Sequence, residues 1–188
     1  MKNLIVLFIV HFLFSLFAVA QPEGSIIWNE KRPLVWDDFM AAAPEKHMAS
    51  AMSDVSFTVN LASDGDMLNV YIAAGFNPAN SWVKQDDKDN RLLKHEQLHF
   101  DIYEVNARLL REELKKKKLS LKNAQSEINK LMDKYNKLNS TTQVDYDKET
   151  EHSIDRDKQE KWEEKIAEKL KNLSEHRSAR FNIPILTQ

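Results

Sequence analysis

The 188-residue chain contains no cysteine, and this absence excludes several kinds of chemistry. Disulfides, thiolate zinc sites, iron–sulfur clusters and cysteine nucleophiles are all ruled out. The three glycines (Gly24, Gly65 and Gly75) lie too far apart to form a GxGxxG turn or a phosphate-binding P-loop. A formal net charge of −2 gives no electrostatic reason to expect nucleic acid as a partner. What remains is a charged, moderately apolar globular chain, and its length predicts one domain.

The first twenty residues have the features of a secretory signal peptide. Lys2 supplies a short positive region, the stretch 4–17 is almost wholly apolar, and Ala18-Val19-Ala20 fits the small-x-small cleavage rule. The alternative is an uncleaved anchor, but the apolar stretch is short for a membrane span. We therefore predict a signal peptide over 1–20 and an exported mature chain, 21–188, that is periplasmic or extracellular. We expect the mature chain to have no membrane contact after cleavage.

The mature chain changes character near its middle, and its first part, 21–84, has strand-like patterns. Two runs alternate apolar and polar residues, as half-buried strands do. Their apolar positions are Val55, Phe57, Val59 and Leu61 in the first run, and Leu68, Val70 and Ile72 in the second. The segment Ser63-Asp64-Gly65-Asp66 between them is a turn signal, so the pair predicts a β-hairpin. The stretch 41–51 fits either a loop or a short helical turn.

The second part, 87–188, has the apolar period of helices. A first helix is predicted from Asp87 or Asp89, either of which can cap it, to about Lys118. A second follows with a 3-4 apolar spacing over 121–138, the pattern of an antiparallel helical hairpin or a short coiled coil.

A polar, threonine-rich link is predicted at 140–143, and a third helix over about 154–176. The fold expected from both parts is α+β: a small antiparallel sheet packed against three long helices, within a single domain.

The first predicted helix carries the motif His95-Glu96-Gln97-Leu98-His99, which is HExxH. Four residues of helix turn about 400°, so both imidazoles lie on one face and can share a zinc ion at about 2.0–2.1 Å. Glu96 is rotated by about 100°, which puts its carboxylate beside the metal. There it can take a proton from a zinc-bound water and return it to a leaving amine. The alternative is a pair of buried histidines satisfied by hydrogen bonds.

A catalytic zinc needs a third protein ligand and one open position. The long metzincin motif is excluded, because Ile102 and Val105 stand where that motif has glycine and histidine. Glu151 and Asp155 match an ExxxD pattern in which the glutamate completes the site, and His152 lies in the same segment. The residues alone leave Glu151 and His152 open as the third ligand.

Three segments resemble one family. The segment 95–102, HEQLHFDI, resembles the HEQxHFDI signature of the DUF922 family, which is described as secreted zinc-dependent proteases. The segment 34–39, LVWDDF, resembles that family's W-x-DF segment, and 146–152, YDKETEH, resembles its YDxxTxH segment. The similarity extends from about Trp28 to Trp162. It departs at Ser153 and at 41–43, where glycines are expected.

The resemblance implies a specific site. His152 is the implied third zinc ligand beside His95 and His99, and Glu96 keeps its role as general base. In place of His152, Glu151 or Glu149 could complete the site. The implied activity is hydrolysis of a peptide or protein substrate.

Two further residues near the motifs have expected roles. Tyr146 is a candidate donor to the oxyanion formed during amide attack, with ordinary core packing as the alternative. Asp101 lies about 200° around the helix from His99, so it cannot face the same metal. We expect Asp101 to hydrogen-bond a neighbouring segment, such as the one that bears His152.

The leading hypothesis is therefore an exported zinc metallopeptidase with Glu96 as general base and acid. The alternative is a non-catalytic binding or scaffold protein with a structural zinc, in which Asp145, Asp147 or Glu149 closes the site as a fourth ligand. A metal-free helical adaptor is a third possibility.

Overall fold

The computed structural model describes residues 24–186, in which a mixed β-sheet and a small second sheet pack with three α-helices. This confirms the expected α+β class. Within that range, no helix combines the length and the apolar character needed to cross a membrane. The predicted signal peptide, 1–20, lies outside the described residues.

The described strands form two sheets. They are β1 (Ile26–Ile27), β2 (Ala51–Met52), β3 (Val55–Asp64), β4 (Met67–Phe76), β5 (Trp82–Val83), β6 (Leu119–Ser120) and β7 (Arg180–Leu186). In the main sheet β4 pairs antiparallel with β3, β1 and β7, and β6 pairs with β7 in parallel. The small sheet is the antiparallel pair β2–β5.

The predicted hairpin is confirmed as β3–β4. Its register runs from the pair Val55 and Phe76 to the pair Asp64 and Met67. Gly65 in the turn has φ +62°, a left-handed conformation that glycine adopts without steric cost. The alternating apolar side chains of both strands are buried on one face of the sheet, as the period-2 pattern requires.

The main sheet is antiparallel except for one pair, which involves an extra strand that the C-terminal segment supplies. β7 pairs antiparallel with β4, and β6 pairs in parallel with β7. Ile183 and Ile185 of β7 are buried against the core. Pro184 between them weakens the strand signal in the sequence, because proline cannot donate to the ladder.

The helices are α1 (Asn90–Lys115), α2 (Ala124–Glu149) and α3 (Arg156–Asn172). Short 3-10 turns occupy Trp36–Asp38, Gln85–Asp87 and Ser174–His176. Asp89 caps α1 as expected, because its Oδ1 accepts a hydrogen bond from the Leu92 N–H at 2.6 Å. α1 lies at the centre and contacts the sheet and both other helices.

The predicted polar link at 140–143 is wrong, because α2 continues through it as helix. The hydroxyls of Thr141 and Thr142 donate to carbonyls one turn earlier, so both are satisfied within the helix. Buried Asn139 accepts a hydrogen bond from Asn106 of α1 at 3.0 Å. This polar contact holds α2 against α1 beyond the apolar residues at 121–138.

A buried ionic cluster fixes the back of α1. Glu104 accepts hydrogen bonds from Arg108 Nε at 2.9 Å and from Arg111 Nη2 at 2.8 Å, and all three side chains are buried. Arg108 also donates to the Leu170 carbonyl, and Arg111 donates to the His176 carbonyl, both at 2.6 Å. The cluster therefore ties α1 to the end of α3 and to the chain leading into β7.

We expect Glu104→Gln to lower the free energy of unfolding by about 3–5 kcal/mol, because it leaves two buried guanidinium groups without their carboxylate. Urea unfolding followed by circular dichroism measures the effect. Glu112→Gln is the matched control, since Glu112 pairs with Lys116 at the surface of the same helix. That change should leave the midpoint unaltered. Equal midpoints for both variants would contradict the assigned role of the cluster.

Candidate metal centre

Three side chains from two helices converge at one point. His95 and His99 lie one turn apart on α1, and Asp147 lies near the end of α2. The Nε2 atoms of the two histidines are 3.1 Å apart, and each is 3.1 Å from Oδ1 of Asp147. A tetrahedral zinc with bonds of about 2.0–2.1 Å separates its ligand atoms by about 3.3–3.4 Å. This triangle is close to that spacing, so the group could hold a metal ion.

Glutamines from the other helices orient both imidazoles. Nδ1 of His95 lies 3.2 Å from Oε1 of Gln159, and Nδ1 of His99 bonds Oε1 of Gln143. Both amides have their NH₂ groups engaged elsewhere, with Glu163 and with the His99 carbonyl, which turns Oε1 towards the rings. We therefore assign a ring proton to Nδ1 in both histidines, so that in the neutral rings both Nε2 lone pairs are free for a metal. Only a protonated ring donates from Nε2 to Asp147.

The convergence of two lone pairs and a carboxylate oxygen favours a positive charge between them. Burial lowers the pKa of His99, but its hydrogen bond to Asp147 and the charges of Glu96 and Asp147 outweigh burial and raise it. Burial raises the pKa of Asp147, yet hydrogen bonds from both histidines hold it well below its usual range. Both directions mean that the site stabilises bound cation charge, which a divalent metal supplies.

Glu96 lies beside the triad and is buried, with its side chain directed into the same cleft. Its Oε2 accepts a hydrogen bond from the Ser53 hydroxyl at 2.7 Å. Ser53 directly follows β2, so the small sheet holds the carboxylate in place. Sequence reasoning did not find Ser53, because 43 residues separate it from Glu96.

Asp147 lies at the position of the third ligand, for which the sequence suggested His152, Glu151 or Glu149. The sequence suggested Asp147 only as a possible fourth ligand. His152, the ligand implied by resemblance, has its Nδ1 3.7 Å from Oδ1 of Asp147, and its side chain is 78% exposed. His152 as a ligand stays a prediction, and the geometry favours Asp147. Glu149 accepts a hydrogen bond from Trp162, and Asp145 is exposed.

Tyr146 is fully buried behind the site. Its ring stacks on His95 with centroids 4.6 Å apart, and its hydroxyl donates to Oε1 of Gln159 at 2.8 Å. Burial raises the pKa of Tyr146, which keeps the phenol protonated. An oxyanion donor must reach the substrate, and this hydroxyl is already engaged inside the protein. The geometry favours the packing alternative, in which Tyr146 supports the His95 ring, and Tyr146 as an oxyanion donor stays a prediction.

Asp101 hydrogen-bonds a neighbouring segment as expected, but the segment differs from the one suggested. Its Oδ1 accepts from Trp28 Nε1 and from Gln97 Nε2, both at 2.7 Å. Gln97 in turn accepts from the Leu34 N–H at 2.7 Å. The link is thus to the N-terminal segment rather than to the turn that bears His152.

The metal centre opens into a cleft of about 1270 Å³. One wall is the chain around β2, residues 47–55, and the other combines the start of α1 with the end of α2. Typical small-molecule pockets have volumes of about 300–1,000 Å³. The cleft is therefore large enough for a segment of polypeptide beside the triad.

The model of one protein family, "Bacterial protein of unknown function (DUF922)", matches residues 47–153. The chain belongs to the DUF922 family. No curated protein and no solved structure matches it. The DUF922 match includes the triad, Glu96 and His152, whereas Gln159, which orients His95, lies beyond its end.

We expect Gln143→Leu to weaken zinc binding about 10–100-fold, because His99 loses the acceptor that fixes its ring and tautomer. Competition with a chromophoric chelator measures the affinity. Gln125→Leu on the same helix is the control, since Gln125 bonds only Asn129 among the described residues. An unchanged affinity in Gln143→Leu would contradict the orienting role.

Proposed function

We propose that the protein is an exported, zinc-dependent metallopeptidase. The observation that carries the proposal is the meeting of two imidazole nitrogens and a carboxylate oxygen at the wall of an open cleft. Catalytic zinc sites use three protein ligands and leave a further position open. Two histidines with one carboxylate are a donor set that fits zinc. Membership of the DUF922 family is compatible with a metal site.

The metal supplies Lewis acidity, which lowers the pKa of a coordinated water to near neutrality. The protein's own contribution starts with His95, His99 and Asp147 as ligands. Hydrogen bonds from Nδ1 to Gln159 and Gln143 hold both rings with Nε2 towards Asp147, so the histidines need little reorganisation to bind a metal.

Glu96 serves as the proton carrier. Its Oε2 accepts the Ser53 hydroxyl, and this bond holds the carboxylate in the cleft. It accepts the proton of the attacking water and then gives that proton to the nitrogen of the leaving amine. Its position suits this exchange, because Glu96 directly follows the ligand His95 on α1 and lines the cleft.

The alternative function is a binding protein whose zinc is structural. A structural site is closed by four protein ligands. Among the described residues, Glu149 is engaged with Trp162 and Asp145 is exposed, so neither supports closure. The open cleft favours the enzyme. Acetohydroxamate separates the two, because it binds an open zinc and not a closed one.

We expect Glu96→Gln to retain zinc while the hydrolysis of fluorescein-labelled casein falls about 10²–10⁴-fold, because the amide cannot carry the proton. Zinc content by elemental analysis and casein hydrolysis are measured on the same sample. Glu160→Gln, on the exposed face of α3, is the control and should behave as wild type. Hydrolysis that persists in Glu96→Gln would exclude the proposed mechanism.

We expect Asp147→Ala to lose most of its zinc, since it removes one of three ligands, while wild type carries about one zinc per chain. Asp145→Ala is the matched control, because Asp145 is an exposed aspartate two positions earlier on α2. Full zinc content in Asp147→Ala would show that another residue completes the site.

A further inference from the structure

The turn that follows α2 has an unusual backbone. Glu151, His152 and Ser153 have φ values of +48°, +53° and +76°, and they are the non-glycine residues with positive φ in the described chain. The left-handed conformation is strained for a residue with a Cβ, because the Cβ comes close to the following carbonyl oxygen. Three such residues in succession occur only where the surrounding structure imposes them. Ser153, with the highest φ, stands where the family resemblance leads us to expect glycine.

Contacts at both ends impose this conformation. Arg91 of α1 donates from Nη1 to both the carbonyl and the hydroxyl of Ser153, which is buried. The His152 N–H donates to the Asp147 carbonyl at 2.9 Å, and the Asp155 N–H donates to the Thr150 carbonyl at the same distance. The base of the turn is therefore anchored to α1 and to the end of α2.

The tip presents an imidazole without a hydrogen-bond partner. The His152 side chain is 78% exposed and lines the cleft. Its Nδ1 lies 3.7 Å from Oδ1 of Asp147, which is beyond hydrogen-bond distance. In residues 24–186 no other protein group bonds this ring. The few contacts of the His152 side chain do not offset the backbone strain of the turn. Backbone strain of this kind is concentrated at functional sites.

We propose that His152 is a catalytic residue that contacts the substrate: an N–H of its ring donates a hydrogen bond to the carbonyl oxygen of the scissile amide. This role rests on the proposed function. Oδ1 of Asp147 is already 3.1 Å from both histidine nitrogens, so the three ligand positions are filled without His152. The reacting carbonyl enters from the cleft, on the side where the exposed ring lies.

The strained turn has a direct use in this role. Negative charge develops on the carbonyl oxygen as water adds, and a donor fixed in advance stabilises that charge without reorganisation. A flexible loop would have to order its histidine in each catalytic cycle. The anchored turn keeps the His152 backbone at the rim of the cleft, so only the side-chain torsions of the ring remain to be ordered.

The test compares His152→Ala and His152→Gln with wild type, all loaded with zinc. We expect unchanged zinc content in both variants and a fall of about 10²–10³-fold in kcat/KM for casein in His152→Ala. Glutamine keeps an N–H donor, so part of the rate should return in His152→Gln. Arg156→Ala is the control, because Arg156 is exposed at the start of α3 and does not line the cleft.

Two outcomes overturn this proposal. Loss of zinc from a folded His152→Gln or His152→Ala would make the residue a metal ligand, as the resemblance implies. Rates within about threefold of wild type in both variants would make the turn purely structural. If the alanine variant does not fold, the glutamine variant decides.

Failure of the proposed function itself would be seen in wild type. A zinc-loaded wild-type protein that neither cleaves casein nor binds acetohydroxamate is not a peptidase, and His152 then has no substrate to contact. That result precedes any comparison of variants, so the two failures are distinguishable.

Discussion

The structure depends on the convergence of two imidazole nitrogens and a carboxylate oxygen within 3.1 Å of one another. Three acceptors at this separation repel unless a positive charge lies between them. The arrangement involves all the helices, since α1 supplies the imidazoles, α2 the carboxylate and α3 the glutamine that orients His95. A cation bound here cross-links elements that are distant in sequence, in a chain that has no cysteine for disulfides.

α1 serves two purposes on two faces. One face carries His95 and His99 to the cleft, and the other carries Asp101 and the cluster of Glu104 with its arginines. These back contacts bind the N-terminal segment and the end of α3 to the helix. A site whose ligands must stay within a few tenths of an ångström needs such rigid support. The ionic cluster therefore supports the candidate metal centre by keeping α1 in place.

Features encoded by local periodicity were predictable. The β3–β4 hairpin follows from period-2 alternation around a glycine turn, and α1 with its Asp89 cap follows from helical period and capping chemistry. The helical continuation at 140–143 was not predictable, because it depends on hydroxyl back-bonds and on a buried amide pair between two helices. β7 was missed because proline weakens its strand pattern, and its antiparallel partner β4 lies more than a hundred residues away in sequence.

By itself the sequence determined that two histidines and a glutamate share one helix, because four residues of helix return to the same face. Only the tertiary structure decided which side chain joins the two histidines, because Glu151, His152 and Asp147 all lie within a few positions of the end of α2. The end of α2 brings Asp147 to the histidine nitrogens, and a left-handed turn carries His152 out to the cleft rim. Docking of α2 against α1 sets that choice, and no local pattern records how two helices dock.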